Sequence, residues 1–262
     1  MEMRIITLKN KDAFTQMAID EVILDQVIES GSPETVRFYS FKPAAVTIGR
    51  LQSLDDIDVG FCTKNGIDVV RRLTGGRAVL HSRDFTFSFI INKNNPVFKG
   101  SIYDTYKSIS APFLSALLHL GFRARWEKFN HHRMGKNKNN LVHNPLCFAS
   151  TTRYELTIEG RKILGIAQYR KKNAILVQGS LVLQDVDTEL CNIVSGGIDV
   201  KDIFSSKGKM NISFDEFGEL LKGEIARTNH IDLNDSKLYE EEMKKVDEKR
   251  KKYCSSKWNN LN

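Results

Sequence analysis

"YELTIEGRKILGIAQYRKKNAILVQGSLVL", residues 154–183, decides the fold. Glu159-Gly160 and the run Lys171–Asn173 punctuate segments rich in Leu, Ile, Val and Tyr, so the stretch reads as three antiparallel strands joined by two tight turns. A hairpin centred on Glu159-Gly160 sets Lys162 opposite a position near Thr157. Lys162 is the odd residue, because it heads the apolar run "KILGIA", where a bare ammonium is costly to bury without a partner. A lysine just after a turn ordinarily lays its stem along apolar surface and reaches water with its head. Upstream, "NPLCF" places Cys147 in a short polar loop. A free cysteine is commonly a core filler, and reactivity needs a lowered thiol pKa that spacing does not reveal.

Outward from the meander the chain alternates strands and helices. "DAFTQMAIDEVILDQVIES", from Asp12, spaces Phe14, Met17, Ala18, Leu24 and Ile28 as a helix, and Gly31 closes it. "TVRFYSF", "AAVTIG" and "IDVVRR" read as short strands, with a brief helix over "DDIDVGFCTKNG" ending at Gly66. "FTFSFII", from Phe85, alternates apolar and polar residues and predicts a half-buried strand. Tyr103, Tyr106, Ile109, Phe113, Leu117 and Leu120 recur at helical spacing. Pro112 sits within that helix, and a mid-helix proline costs about 3 kcal/mol, so a kink or two abutting segments are expected. Residues 129–144 are basic and Asn-rich and read as a loop. Ser213 and Glu216 form a capping box ahead of Phe217, Leu220 and Leu221, and a last charged helix runs from about Ser236 to Tyr253. The sum is an α+β fold, with mixed and antiparallel sheets flanked by helices. No Pro/Ser/Gly-rich linker divides the chain, so residues 12–203 are read as the core and residues 204–262 as a helical segment packed on it.

Bulk composition narrows the class. The 262 residues are 41% hydrophobic and 27% charged, which suits a packed core rather than disorder. The formal net charge of +7 favours acidic partners. The aromatic residues lie at core periodicity rather than in a basic stacking platform, which argues against a nucleic-acid-binding module. Cys62, Cys147, Cys191 and Cys254 are widely spaced without a CxxC pair, and His131, His132 and His143 fall in a loop without carboxylate partners; no metal site is expected. No signal peptide and no membrane span is read, so the expectation is a cytoplasmic protein with reduced thiols and no membrane partner.

A second stretch, "VVRRLTGGRAVLHS", residues 69–82, carries chemistry. Two arginines end a strand, a Gly-Gly pair opens a turn, and a histidine follows. Glycines let backbone N–H groups approach a ligand closely and arginines supply forked charged donors, so the loop suits an anion or a polarised carbonyl. It is neither GxxxxGK[ST] nor GxGxxG. A tight turn with two solvated arginines explains the same residues.

The combination is more specific. "RRLTGGRAVLH" resembles the signature loop of the biotin/lipoate protein ligase and transferase superfamily, and "MAIDE" and "GRLQS" look like corresponding family positions. "EGRKILGIAQ" resembles the strand that carries the family's active-site lysine, here Lys162, and "KYCSSKWN" its closing helix. The resemblance runs from about Phe14 to Asn259. ATP-dependent lipoate ligases usually carry a third loop glycine, here Arg77, and an Asn-Asp pair where this chain has Tyr154-Glu155. "NPLCF" instead resembles the cysteine-dependent octanoyltransferases, although Ala149 and Thr151 and the insertion "HHRMGKNKNN" depart from their usual pattern.

The resemblance implies an acyltransferase of lipoate biosynthesis that needs no cofactor and no metal. Cys147 would take an octanoyl group from octanoyl-acyl carrier protein as a thioester, and a lysine of a lipoyl domain, with the glycine-cleavage H protein as the favoured acceptor, would receive it. Lys162 would lower the thiol pKa and contact the oxyanion, while Arg71, Arg72, Gly75, Gly76, Arg77 and His81 would bind substrate. An ATP-dependent lipoate-protein ligase and an octanoyl amidotransferase between lipoyl domains are the alternatives.

Overall fold

Strand β6 (Asp84–Asn92) lies inside the largest sheet of the computed structural model, which describes residues 1–29, 31–127, 155–184, 193, 210 and 212–260. The chain enters through β1 (Glu2–Lys11), α1 (Ala13–Glu29), β2 (Thr35–Phe41) and β3 (Ala45–Ile48). It continues through α2 (Val59–Lys64), β4 (Asp68–Arg71) and β5 (Val79–His81) to β6, then α3 (Ile102–His119) and β7 (Ala124–Glu127). Next come β8 (Glu155–Ile158), β9 (Arg161–Lys162), β10 (Leu164–Lys171) and β11 (Ala174–Val182). The described C-terminal part holds α4 (Phe214–Asn229), β12 (Asp232–Asp235), α5 (Glu240–Cys254) and α6 (Ser256–Asn259). Six strands pair in the order β10-β11-β6-β2-β1-β12, parallel on either side of β1 and antiparallel elsewhere. Two three-stranded sheets, β4-β3-β5 and β7-β8-β9, complete the α+β architecture.

Both faces of the large sheet are covered. Phe85, Phe87, Phe89 and Ile91 join Phe113 and Leu117 of α3 and Phe217, Leu221 and Ile225 of α4 in one core. Ile90 and Leu176 pack with Met17, Ile23 and Leu24 of α1 and with Val246 and Tyr253 of α5 in another. The alternation in "FTFSFII" therefore does not mark a half-buried strand. Thr86 and Ser88 are as buried as the phenylalanines, and each has a polar partner inside: Ser88 Oγ donates to Asp20 of α1 and Thr86 Oγ1 to Asp84.

The meander predicted from residues 154–183 is real in its turns and its register, with Thr157 opposite Lys162, but it divides between two sheets. β8 and β9 pair beside β7, whereas β10 and β11 belong to the six-stranded sheet. Ile163 is the junction: its N–H donates to the Leu156 carbonyl at 3.1 Å and its carbonyl accepts from Val182 N–H at 3.0 Å. β1, β5, β7 and β12 are strands the sequence reading did not find. β12 ends just before the stretch assigned to the last helix, which starts at Glu240 rather than Ser236. The capping box of Ser213 and Glu216 is formed. Among the described residues no helix is long and apolar enough to cross a membrane.

α3 runs through Pro112 as one helix rather than as two abutting segments. Proline has no N–H to give the Ser108 carbonyl one turn earlier. The Asn229 side chain at the end of α4 donates to that carbonyl instead, at 3.2 Å. Asn229→Ala should thus cost about 1–2 kcal/mol in urea unfolding, and clearly less in a Pro112→Ala background, where the helix regains its own N–H. Equal losses in both backgrounds would disconnect Asn229 from the proline.

Candidate functional site

The site is built on α1. Asp20 and Glu21, the acidic pair of "MAIDE", face different neighbours. Asp20, completely buried, pairs with Arg37 of β2 and accepts from Tyr39 Oη at 3.2 Å, Ser88 Oγ at 2.7 Å and Gln178 Nε2 at 2.7 Å. One carboxylate thereby joins the helix to β2, β6 and β11. Burial, and then the Asp20 charge, push the Tyr39 phenol well above its usual 10.0, so Tyr39 stays a donor. Glu21 receives Lys252 Nζ at 2.7 Å and Tyr253 Oη at 2.7 Å from α5. Burial would raise its carboxyl, but the Lys252 and Tyr253 hydrogen bonds and the nearby lysine charges hold it below the usual carboxylate value.

Above this floor lies a small cavity of about 50 Å³. Met17, Tyr39, Phe41, Val79, Ile166 and Ala167 give it apolar walls, and Thr47, Arg72, His81, Gln178 and Ser180 polar points. The glycine loop forms part of the wall. Gly76 has φ +88° and lies where a Cβ would stand 3.7 Å from Ala167 Cβ. Gly49 approaches even closer on the other side: a Cβ there would fall 1.8 Å from the Gly76 carbonyl oxygen, so no side chain is admissible.

The two loop arginines do different things. Arg72 donates to the Thr47 carbonyl at 2.8 Å, to Thr74 Oγ1 at 3.1 Å and to the Gly75 and Arg77 carbonyls at 2.6 and 2.8 Å, so it braces its own loop at the cavity. Arg71, fully buried, gives Nη1 to the Gly49 and Gln52 carbonyls at 2.9 and 2.7 Å and Nη2 to the Asn259 carbonyl at 2.8 Å. Neither Arg71 nor Gly75, Arg77 or Lys162 is among the described residues that line the cavity; Arg72, Gly76 and His81 are.

His81 is gripped at both nitrogens. Nδ1 lies 2.6 Å from Asp84 Oδ2 and Nε2 lies 2.9 Å from Thr47 Oγ1, and Phe41 stacks on the ring at 4.4 Å. Asp84 also accepts from Ser180 Oγ at 2.6 Å and Thr86 Oγ1 at 2.8 Å. Burial would raise the Asp84 carboxyl. The His81 charge and these hydrogen bonds outweigh it and hold the carboxyl below its usual 3.8.

Lys162 finds an anion. Its Nζ lies 3.0 Å from Glu155 Oε1, and both side chains are almost wholly buried, at 6% and 2% exposure. The buried ammonium on the apolar strand thus has a carboxylate partner across the β8–β9 hairpin. Cys147 lies outside the described residues, as do Cys191, His131, His132, His143 and the whole of the basic loop 129–144. Of the other two cysteines, Cys62 is buried and its thiol is pushed up to about 11 by burial and the Asp58 charge, the opposite of an activated nucleophile; Cys254 is exposed on α5. Among the described residues no cluster of His, Cys, Asp and Glu could hold a metal ion.

Asp20, Asp84, Gln178 and Ser180 were not singled out from sequence. The available signal was polar residues inside otherwise apolar strands and helix, at positions where period 2 or 3.6 demanded burial.

Comparison with known proteins gives a consistent frame. The family model described as the lipoyl protein ligase A/B catalytic domain matches residues 12–214. A protein named octanoyltransferase LipM from Staphylococcus epidermidis is 30% identical, the match covering 97% of this chain and 96% of that one. Its namesake from Brevibacillus brevis is 35% identical, with 93% of each chain covered. Among solved structures, lipoate-protein ligase A bound with ATP superposes with a TM-score of 0.80 at 25% identity, over 99% of this chain and 98% of that one. A bi-partite lipoate protein ligase from Thermoplasma acidophilum shares the fold, with a TM-score of 0.79 at 23% identity, over 100% of this chain and 98% of that one.

Removing one member of a buried ion pair strands the other. Lys162→Met should lower unfolding free energy by about 3–5 kcal/mol, and Lys162→Met combined with Glu155→Met should recover most of that loss in urea titrations. A single variant as stable as the parent would mean that Glu155 does not depend on Lys162.

Proposed function

The chain belongs to the lipoyl protein ligase A/B catalytic-domain family, and from that premise we propose that it is an octanoyltransferase that acylates a lysine of a lipoyl domain in lipoate biosynthesis. The observation that carries this reading is likeness over almost the whole chain to proteins named octanoyltransferase LipM. The mainly apolar walls of the cavity beneath the glycine loop suit a short acyl chain.

The reaction runs in two displacements. The Cys147 thiolate attacks the thioester carbonyl of octanoyl-acyl carrier protein, and the carrier's thiolate leaves. The ε-amine of the acceptor lysine, with the glycine-cleavage H protein the favoured carrier of it, then attacks the Cys147 thioester; Cys147 leaves as thiolate and the amine loses a proton. Exchange between thioesters is nearly even in free energy, and thioester to amide runs downhill, so no nucleotide is required. Lys162, held charged-to-charge by Glu155, is the cation proposed to favour the thiolate and the tetrahedral oxyanion. The net charge of +7 suits an acidic acyl carrier by electrostatic steering. The raised Cys62 thiol makes that cysteine a poor nucleophile.

The second reading is an ATP-dependent lipoate ligase, favoured by the likeness to the ATP-bound enzyme. Octanoyl-acyl carrier protein and an apo lipoyl domain, mixed with the protein without nucleotide, should yield an octanoylated domain by intact mass. Cys147→Ala should abolish transfer and Cys62→Ala should leave at least about half of it, since only an accessible low-pKa thiol serves as nucleophile. Attachment that occurs only from free octanoate or lipoate with Mg-ATP would move the protein to the ligases.

A further inference from the structure

Arg71 is a buried guanidinium that no carboxylate pairs with among the described residues. It is held by main-chain oxygens from two places. On one side are the carbonyls of Gly49, Arg50 and Gln52, at 2.9, 3.2 and 2.7 Å from Nη1. On the other is the chain's last described helix: the Asn259 carbonyl takes Nε at 3.2 Å and Nη2 at 2.8 Å, and Asn259 Oδ1 takes the Arg71 N–H at 2.8 Å. The Arg71 carbonyl in turn accepts Trp258 Nε1–H at 2.8 Å.

Each end of this junction is itself anchored. Asn259 Nδ2 donates to the Tyr253 carbonyl at 2.6 Å, and Tyr253 is bound to Glu21 of α1. Two cations lie over the Trp258 ring: Lys252 Nζ, 3.8 Å from its centroid, and the Arg50 guanidinium, 4.7 Å away. At the far side the Gly49–Gln52 turn meets the glycine loop directly. Arg50 N–H donates to the Thr74 carbonyl at 2.9 Å, and Gly49 abuts the Gly76 carbonyl too closely for any side chain. Gly76 lines the cavity.

We propose that the segment Tyr253–Asn259 is a strut that positions the glycine loop: Trp258 and Asn259 fix Arg71, Arg71 fixes the Gly49–Gln52 turn, and that turn sets Gly76 against the cavity. Trp258 and Asn259 are positioning residues, and Arg71 serves the loop from behind rather than touching substrate. The proposal rests on the reading of the cavity as the acyl site.

The test is amide hydrogen exchange on the full chain with Asn259→Ala and, as a milder variant that keeps an aromatic ring but removes the Nε1–H donor, Trp258→Phe. Both should speed exchange about tenfold across residues 49–53 and 72–78 while β6 stays within about twofold of the parent, as local opening requires. In octanoyl transfer the same variants should raise KM for the octanoyl donor several-fold with kcat little changed, the sign of binding geometry lost rather than chemistry. Unchanged exchange at 49–53 and 72–78, or acceleration spread equally to β6, would overturn the strut. Exchange needs no substrate, so an inactive parent protein would count against the proposed function and leave the strut to be judged on exchange alone.

Discussion

A single buried carboxylate organises this protein. Asp20 brings α1 onto three strands at once through Arg37, Tyr39, Ser88 and Gln178. A charge in a low-dielectric interior is tolerated only when it is paired and fully hydrogen-bonded. The consequence is geometric: helix, β2, β6 and β11 have one mutual arrangement that satisfies all partners, and the cavity sits above it. Gln178 carries the constraint upward, since its Oε1 accepts from Thr74 Oγ1 at 2.8 Å, next to the glycines. The cavity is therefore preformed by side chains that are themselves locked.

A second rigid layer comes from glycines and arginines. Gly49 and Gly76 allow two stretches of main chain to touch, and Arg72 ties the ends of its own loop together. The His81–Asp84 pair, with Thr47, Thr86 and Ser180, closes the polar side without leaving a ring nitrogen unbound. Binding energy in such a site goes into the ligand rather than into ordering the protein.

Much of this was legible in the sequence, and the failures have physical causes. Helix α1, the Glu159-Gly160 turn, the pairing of Lys162 with Thr157 and the family likeness of the glycine loop came from local signals. β1 was missed because its partners, β2 and β12, are remote in sequence and parallel, and no short turn announces such pairing. β12, "DLND", has no apolar pattern and is a strand only through β1. "FTFSFII" misled because alternation reports chemistry, not exposure: its polar face meets a buried carboxylate. Adjacent arginines read as one anion-binding pair, yet Arg71 ends β4 and Arg72 begins the loop after it, so the two side chains take different partners. Arg71 reaches the Gly49–Gln52 turn and Asn259, and Arg72 the loop at the cavity. The lysine that opened the question has Glu155 as its partner, which the spacing of a hairpin did not reveal.

In the proposed reaction the acyl group passes through the thiol of Cys147. The most direct measurement is to trap the protein after brief mixing with octanoyl-acyl carrier protein alone, digest it at low pH and locate the acyl group by fragment mass spectrometry. One hydroxylamine-labile octanoyl group is expected on the peptide that contains Cys147 and none on the peptide that contains Cys62. An acyl group on another residue, or no covalent adduct in a protein that still transfers octanoate, would contradict it.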